Sequence, residues 1–530
     1  MNEKSRVSEL RLESDGWHLR YEDRSLKLFC DILSLEADQQ IAEEFGIELK
    51  EAWKLKHQVL DNWWPSDLDE MRRLFPQIVG ENDNVKLLIL ALFSIKFRDP
   101  EMRIMGALIE SVNSSGKSWL AKHILRPLRM ISDDLVIEFT RLSGAYLERR
   151  FQNESLDRKV IFIQEAEDSP NQLYLTLSEG RLRVGLVQRV DGEFRPIEIV
   201  AEGQPFLLAT STGWRGSPDL IHRILQIELD ESREQTLKIM EFESKMASDP
   251  IYKEQFLKFS EGCAKIFKRI WEETPENVEV CIPYISLLEE NFQNSEDLDV
   301  KLRRDWRKFI SLLMASALIF HKRRPMIKLN DRLIIIATLE DLRNVLPLVE
   351  TSFRETLTGL SEKELKVLDA LEESDPPSLT YAEIARVTGI PSSTLRHHII
   401  PRLESKGHVI VHREGRTHQI ERSKKSWPRL IIDLEAIREK GEKLINDAIA
   451  TLILSGGQMA NSEIREERGL ISENKPRDLA IHGLANSPSD LGENKLGEGS
   501  DSIWPSGQDE KKAISQNISL SEGDGDGQTS

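Results

Sequence analysis

The sequence predicts an α/β protein, in which a parallel sheet with flanking helices carries a phosphate-binding loop and a long β-hairpin, followed by a helical lid and a small C-terminal domain. Three observations predict this fold class. A strand-like run over 102–109 leads through a Gly/Ser/Asn loop into a helix at Lys117, the start of a nucleotide-binding unit. Two further runs, 160–163 and 206–209, are short and uniformly apolar, which is typical of buried parallel strands. Residues 361–425 contain three short helical patterns followed by two strand patterns.

Composition excludes several classes of protein. The chain has 530 residues, more than one domain needs, and a net charge of −18, which argues against a uniformly basic nucleic-acid coat. Its longest apolar runs are shorter than the roughly 18 residues of a membrane helix, and no apolar stretch follows the N-terminal charges. Three widely spaced cysteines fit neither a disulfide framework nor a zinc site. We therefore expect a cytoplasmic protein without a membrane partner.

Periodicity and composition divide the chain into six regions. Within the last region, residues 461–530 carry seven basic and fourteen acidic side chains. This region cannot bury enough apolar surface to fold. The predicted regions are 1–65, mostly helical; 66–230, the α/β core; 231–357, the helical lid; 358–427, the small domain; 428–455, a C-terminal helix; and 456–530, a disordered acidic tail.

The segment from Ser111 to Ser118 matches the phosphate-loop pattern GxxxxGK[ST] except at its first position, where Ser111 replaces Gly. This chemistry needs backbone N–H groups around the β-phosphate, a Lys on the β/γ oxygens and a hydroxyl on Mg²⁺. The sequence thus predicts an ATP and Mg²⁺ site, with Ser118 on the metal. The alternative is a turn that caps the helix, with Lys117 solvated. The predicted nucleotide ligands are Asn113, Ser114, Ser115, Gly116, Lys117 and Ser118.

Polar residues follow two other predicted strands. Glu165 comes after the run 160–163 and is the candidate base for an attacking water, with Mg²⁺ contact through water, while Gln164 stands where an Asp is typical. Thr210 or Ser211 follows the run 206–209 and could hold that water, because polar groups at the carboxyl ends of parallel strands face the ligand. The alternatives are acids that begin the next helix and an ordinary Ser/Thr turn.

Two segments are candidate nucleic-acid contacts. Asp191-Gly192 between alternating runs predicts a hairpin. Residues 391–425 hold eight basic and three acidic side chains and show a winged-helix order of helices and strands, with protein interaction as the alternative role. The candidate DNA-binding residues here are Ser392, Ser393, Arg396 and His397 on the third helix, and Arg413 and Arg416 on the wing.

These parts, in this order, resemble AAA+ ATPases, and most closely the branch of the minichromosome maintenance (MCM) helicases and related mobile-element ATPases. The resemblance covers about 70–350 and includes a lead-in helix in FPQIVGENDNVKLLILALF. It implies that Lys117 and Ser118 bind nucleotide and Mg²⁺, and that Glu165 is the catalytic Glu. It further implies that Thr210 or Ser211 is sensor 1, Arg223 an arginine finger acting in trans, and Arg304 sensor 2. Ser111 and Gln164 depart from the family pattern, and residues 1–60 lack the zinc ligands of the MCM N-terminal domain.

The resemblance implies an ATP-driven DNA translocase or helicase, a hexameric ring that serves replication of a mobile or viral element. The hairpins would line its pore, with phosphate-backbone contacts from Arg181, Arg183, Arg189 and Arg195. The alternative for the hairpin is an ordinary solvated surface. Two alternatives for the whole chain are an ATP-switched winged-helix DNA-binding regulator and a catalytically weak nucleotide-binding scaffold.

Overall fold

The computed structural model describes residues 8–143, 146, 154–167, 177, 179–190, 193–215, 218–293, 302–358, 360–374, 378–414, 417–423 and 434–460. They belong to one compact unit, Met1–Ile471. The predicted turn at 191–192, Arg416 and the predicted tail beyond 460 lie outside the described residues.

The chain opens with an antiparallel three-stranded sheet, β1 (Ser8–Glu13), β2 (Gly16–Tyr21) and β3 (Arg24–Leu28). Two helices follow, α1 (Leu35–Phe45) and α2 (Leu49–Asn62). The prediction that 1–65 is mostly helical is therefore wrong for the first strands. Their residues alternate apolar and polar about a turn at Gly16, whose φ is 136°, and that alternation buries Leu10, Leu12, Trp17 and Leu19 on one face.

The predicted α/β core is confirmed as a sheet of five parallel strands flanked by helices. Its helices before the sheet are α3 (Leu68–Arg73) and α4 (Asn82–Phe93). The following elements, in chain order, are β4 (Gly106–Glu110), α5 (Lys117–Arg129), β5 (Val136–Phe139), β6 (Val160–Ile163), β7 (Arg181–Val190), β8 (Glu193–Glu202), β9 (Phe206–Ser211), α6 (Pro218–Ile221) and β10 (Leu225–Glu228).

The strand order of this sheet is β10-β4-β9-β6-β5. Strands β6 and β9 are buried along their whole length, as their uniform apolar character predicts. Because all five strands run parallel, the segments after β4, β5, β6, β9 and β10 meet at one edge of the sheet. This edge holds the phosphate loop.

The predicted hairpin is confirmed as β7 and β8, which pair along ten residues each, from Arg181 opposite Glu202 to Val190 opposite Glu193. Among the described strands these two form a sheet of their own. The hairpin comes between β6 and β9 in the sequence, but it adds no strand to the parallel sheet.

Residues 231–357, predicted as a helical lid, contain strands as well as helices. The elements are α7 (Arg233–Ser248), α8 (Pro250–Glu273), β11 (Glu279–Cys281), α9 (Ile285–Gln293), α10 (Leu302–Ile319), β12 (Met326–Leu329), β13 (Arg332–Ile336) and α11 (Leu339–Thr358). The strands form a mixed sheet of order β11-β13-β12-β17, closed by β17 (Gln458–Met459). The predicted tail therefore begins too early at 456, because 458–459 pair with β12.

The region after α11 has its own apolar core, with Leu368, Ile384, Leu395 and Ile420 among its buried residues. Its elements are α12 (Glu362–Glu373), β14 (Ser378–Thr380), α13 (Tyr381–Thr388), α14 (Ser392–Thr394), α15 (Ile400–Ser405), β15 (Val409–Glu414) and β16 (Thr417–Arg422). The predicted helices and strands are thus found where the sequence placed them.

A π-helical turn, Leu395–Ile399, joins α14 to α15. Pro401 lies at the start of α15 and has no N–H for an α-helical bond to the preceding turn, which explains the local widening. The last helix is α16 (Leu434–Leu454). Among the described helices, none is both long and apolar enough to span a membrane.

Candidate nucleotide site

The phosphate loop connects β4 to α5, as predicted. Ser114 has a φ of 66° and Gly116 a φ of 96°, so the chain bends twice through left-handed conformations before α5 begins at Lys117. Such bends turn successive N–H groups inward, and the first N–H groups of a helix have no acceptor within it. For Ser114, which has a side chain, this left-handed conformation is uncommon. The loop therefore presents backbone donors for an anion beside an exposed Ser118.

Lys117 folds back over the loop. Its Nζ donates to the carbonyl oxygens of Ser111 at 2.8 Å and Val112 at 2.6 Å. Partial burial lowers the pKa of Lys117, and the nearby carboxylates of Glu231 and Glu167 oppose that shift. The ammonium group thus lies at the loop opening, held by bonds that a phosphate oxygen could replace.

Glu231, which follows β10, is a site residue that the sequence analysis did not identify. Its Oε1 accepts hydrogen bonds from Ser111 Oγ at 2.6 Å and from the Val112 amide at 3.1 Å. These donors hold the pKa of Glu231 below its ordinary value. The Ser that departs from the family pattern therefore binds a carboxylate at the first position of the loop, a contact that Gly could not make with a side chain.

Thr210 and Ser211 end β9, the strand next to β4, but both side chains are 1% exposed. The Thr210 hydroxyl donates to the Gln164 carbonyl oxygen, and Ser211 Oγ accepts the Gly213 amide at 3.0 Å. Both hydroxyls are engaged inside the protein. The prediction that one of them holds an attacking water is therefore not supported by this geometry. The next residue after β9, Thr212, has an exposed side chain, and its hydroxyl donates to Glu167 Oε1 at 3.2 Å.

Glu165 follows β6 at the same edge, one strand beyond β9. Its Oε2 is 2.7 Å from Arg141 Nη2 and 2.8 Å from Arg141 Nε, and the two side chains are 48% and 79% exposed. Gln164 donates through Nε2 to Glu138 on β5, so its amide is engaged away from the loop. Glu165 also lines an open cavity of about 640 Å³ at the ends of β5 and β6. The candidate base thus lies in the predicted region but is paired with a cation.

Arg141 and Glu231 share a signal that could have found them. Arg141 follows β5 and Glu231 follows β10, so both lie after carboxyl ends of parallel strands, as Glu165 does. The rule that placed ligands after the runs 160–163 and 206–209 applies equally to these strands.

The residues present fit Mg²⁺ only as a nucleotide-bound ion. The group of His, Asp and Glu side chains in the described residues that could hold a metal by themselves is Glu13, Asp15 and His18, in the N-terminal sheet and its turn. At the loop, Ser118 offers one exposed hydroxyl. That set suits Mg²⁺, which commonly takes one or two protein ligands together with substrate phosphates and waters.

The two other predicted arginines lie apart from the loop. Arg223 is half-buried in the turn between α6 and β10. Arg304 is exposed in the first turn of α10, whose Arg307 is 3.9 Å from Glu101. Glu101 precedes β4, whereas the phosphate loop follows it, and the five residues of β4 span about 16 Å. Arg304 therefore lies toward the opposite edge of the sheet and is not a ligand of its own chain's loop.

Two predicted DNA contacts on the hairpin are already paired with acids. Arg181 is 3.3 Å from Glu202, and Arg183 is 2.9 Å from Glu198. The side chains of Arg189 and Arg195 lie outside the described residues. The base of the hairpin is thus neutral along its described part, which differs from the predicted basic surface.

The predicted basic face of the C-terminal region is largely exposed. Ser393, Arg396 and His397 are exposed, and Ser392 is half-buried. The Arg396 guanidinium lies 5.1 Å from the centre of the Tyr381 ring. Arg413 is 3.4 Å from Glu404, and this exposed ion pair contributes little to the stability of the fold.

Comparisons with known proteins add little to this geometry. No protein-family model matches the chain, and no curated protein matches it significantly. Among solved structures, the chain is similar to a Thermotoga maritima RuvB P216G mutant, with 16% identity and a TM-score of 0.23, over 71% of this chain and 98% of that chain. A TM-score of this size supports neither fold nor function, so the assignment depends on the site itself.

Proposed function

We propose that this protein is an ATP-driven DNA translocase or helicase of the MCM-like AAA+ class. The observation that carries the proposal is the phosphate loop between β4 and α5, at the carboxyl edge of a parallel sheet where Glu165 also lies. A Lys, a hydroxyl, inward N–H groups and a carboxylate at one edge are the groups that phosphoryl transfer to water requires. We further propose that the protein acts in replication of a mobile or viral element.

In the proposed reaction the loop amides and Lys117 bind the β- and γ-phosphates, and Ser118 holds the Mg²⁺ that neutralises them. Lys117 must first leave the carbonyl oxygens of Ser111 and Val112, which a phosphate oxygen replaces. Glu165 then orients and deprotonates the attacking water once its bond to Arg141 opens. Thr212 replaces Thr210 and Ser211 as the hydroxyl that can reach this water, because its side chain is exposed.

The proposal includes a homo-oligomer, a hexameric ring, in which Arg223 reaches the nucleotide of a neighbouring subunit. The extended hairpin β7–β8 supports a role in the channel by its shape. We also propose that 358–427 form a winged-helix DNA-binding domain, with Arg396 and His397 on its third helix. Helices α12 and α13, the continuous helical segment from α14 to α15, and a three-stranded antiparallel sheet around one apolar core support this.

A second candidate is an ATP-switched DNA-binding regulator, in which the C-terminal region makes the DNA contact. The ion pairs of Arg181 and Arg183 favour it, because a neutral hairpin base attracts the phosphate backbone weakly. A third, a catalytically weak nucleotide-binding scaffold, is favoured by Gln164 and by the pairing of Glu165 with Arg141.

Steady-state ATP hydrolysis by the wild type and Glu165→Gln, with and without single-stranded and duplex DNA, separates these functions. Turnover that DNA stimulates and Glu165→Gln abolishes supports the motor. Absent turnover with ATP and DNA both bound rejects the motor in favour of the regulator or scaffold. Lys117→Ala should abolish ATP binding, and unchanged affinity rejects the site. Arg223→Ala should retain ATP binding but lose oligomer-dependent turnover.

A further inference from the structure

A pair of aromatic rings stands beside the phosphate loop. Trp119 is the second residue after Lys117 on α5, and its side chain is 55% exposed although it is a large apolar group. His123, one helical turn later, has its ring centre 4.0 Å from the Trp119 ring, with an angle of 35° between the rings. The His123 Nδ1 also lies 2.9 Å from the Trp119 carbonyl oxygen. The indole is therefore held in place on one side and open to solvent on another.

The direction of the open face follows from helix geometry. Side chains in an α-helix lean toward its N-terminus, so the Trp119 ring covers the turn that precedes its own Cα. His123 comes later in the helix and packs on the side of the indole nearer the C-terminus. We therefore expect the remaining face to be turned toward the N-terminus of α5, where the phosphate loop lies.

The segment of residues 75–80, before α4, binds the edge of the same ring. The Trp119 Nε1 donates to the Gln77 carbonyl oxygen at 3.1 Å. The neighbouring carbonyl oxygens of this segment are also occupied: Arg72 binds those of Phe75, Ile78 and Gly80, and Gln235 binds that of Val79. Side-chain hydrogen bonds thus hold carbonyl oxygens of residues 75–80, and that of Gln77 accepts the indole N–H.

We propose that the open face of Trp119 is the stacking platform for the purine base of the nucleotide whose phosphates bind the loop. This proposal rests on the proposed nucleotide site. It adds the residue by which the protein would bind a nucleotide more tightly than a free polyphosphate. Stacking uses the π-face of the base, and a purine offers the larger face. Burial lowers the pKa of His123, which disfavours a charge on the ring that packs against the indole.

The chain supplies a matched control. Trp53 and His57 on α2 have the same spacing, with ring centres 4.0 Å apart, a 31° angle, and His57 Nδ1 2.8 Å from the Trp53 carbonyl oxygen. Trp53 is 49% exposed but stands in the N-terminal region, on a helix without a phosphate loop. Trp53→Ala removes an equivalent pair of rings on a helix that carries no part of the proposed nucleotide site.

Calorimetric titration of the full-length protein with ATP and with inorganic tripolyphosphate, both with Mg²⁺, tests the proposal. Trp119→Ala should weaken ATP binding about 10-fold or more, in the range found for base–aromatic stacking, while tripolyphosphate affinity changes by less than about two-fold. Trp119→Phe should retain most of the ATP affinity, and Trp53→Ala should leave both affinities unchanged.

The outcomes separate the platform from the site. An equal loss of ATP and tripolyphosphate affinity in Trp119→Ala overturns the platform, since Trp119 then only supports the loop. Unchanged ATP affinity in that variant overturns it as well. A wild type that binds neither ligand rejects the proposed function itself, whereas Lys117→Ala should lose both ligands while the platform stays intact.

Discussion

Replacing Arg141 by Ala should increase ATP turnover in the absence of DNA. In the proposed reaction Glu165 accepts a proton from water, and the Arg141 guanidinium, which lies 2.7 and 2.8 Å from Glu165 Oε2, stabilises the carboxylate against that transfer. Because both side chains are largely exposed, at 48% and 79%, the pair contributes only about 0.2–1 kcal/mol. Removing 1 kcal/mol from a barrier is worth about five-fold in rate, so we expect an increase of up to about five-fold.

A coupled-enzyme ATPase assay at low and high ionic strength measures this effect. The gain from Arg141→Ala should shrink at high salt, because an exposed ion pair is screened. Arg141→Lys should lie between the wild type and the Ala variant, since Lys keeps the charge but loses the forked geometry. Glu165→Gln should eliminate turnover in both backgrounds. Unchanged or slower turnover in Arg141→Ala would refute the idea that this contact restrains the base.

Three further predictions concern stability. Asp341→Ala should lower the free energy of unfolding by about 3–5 kcal/mol in urea titration, because it leaves Arg324, which is 1% exposed, without the carboxylate at 2.9 Å. Glu340→Ala should lower the free energy of unfolding by about 1 kcal/mol or less, because the Glu340 side chain is 63% exposed. Burial lowers the pKa of His321 to about 4, so the unfolded chain binds the extra proton first; the stability due to the neutral ring is full above about pH 6.5 and falls as the pH drops toward 4, and His321→Gln should remove this slope. Gly106→Ala should lower the free energy of unfolding by about 1–3 kcal/mol, because a Cβ there would overlap the Leu207 carbonyl oxygen on β9, and an unchanged urea midpoint would contradict that contact.

The sequence by itself determined the features that depend on neighbours along the chain. Short apolar runs gave β6 and β9, Gly116 marked the start of α5, and Asp191-Gly192 marked the hairpin between β7 and β8. Each of these signals is local: burial of a strand, a left-handed cap, or a tight turn acts over a few residues. The helices and strands of 361–425 were predictable for the same reason.

The strands that sequence patterns did not predict have local signals that are present but weak. The strands β1 to β3 alternate apolar and polar residues only over five or six positions each, next to a stronger helical pattern in 35–62. The strands β11, β12 and β13 are only three to five residues long and lie among long helices. Segments of this length fold as strands because they find partners across the chain, which local periodicity does not encode.

Only the tertiary structure decided which side chains meet at the site. The sheet order places β9 between β4 and β6. This position buries Thr210 and Ser211 at the end of β9, and it separates Glu165, after β6, from the phosphate loop, after β4, by one strand. The same order brings Arg141 to Glu165 across 24 positions, and Glu231 to Ser111 across 120. Such contacts depend on strand order and on the path of each loop over the sheet edge. A pattern along the chain can therefore name the residues that end at this edge, but the packing of the strands selects their partners.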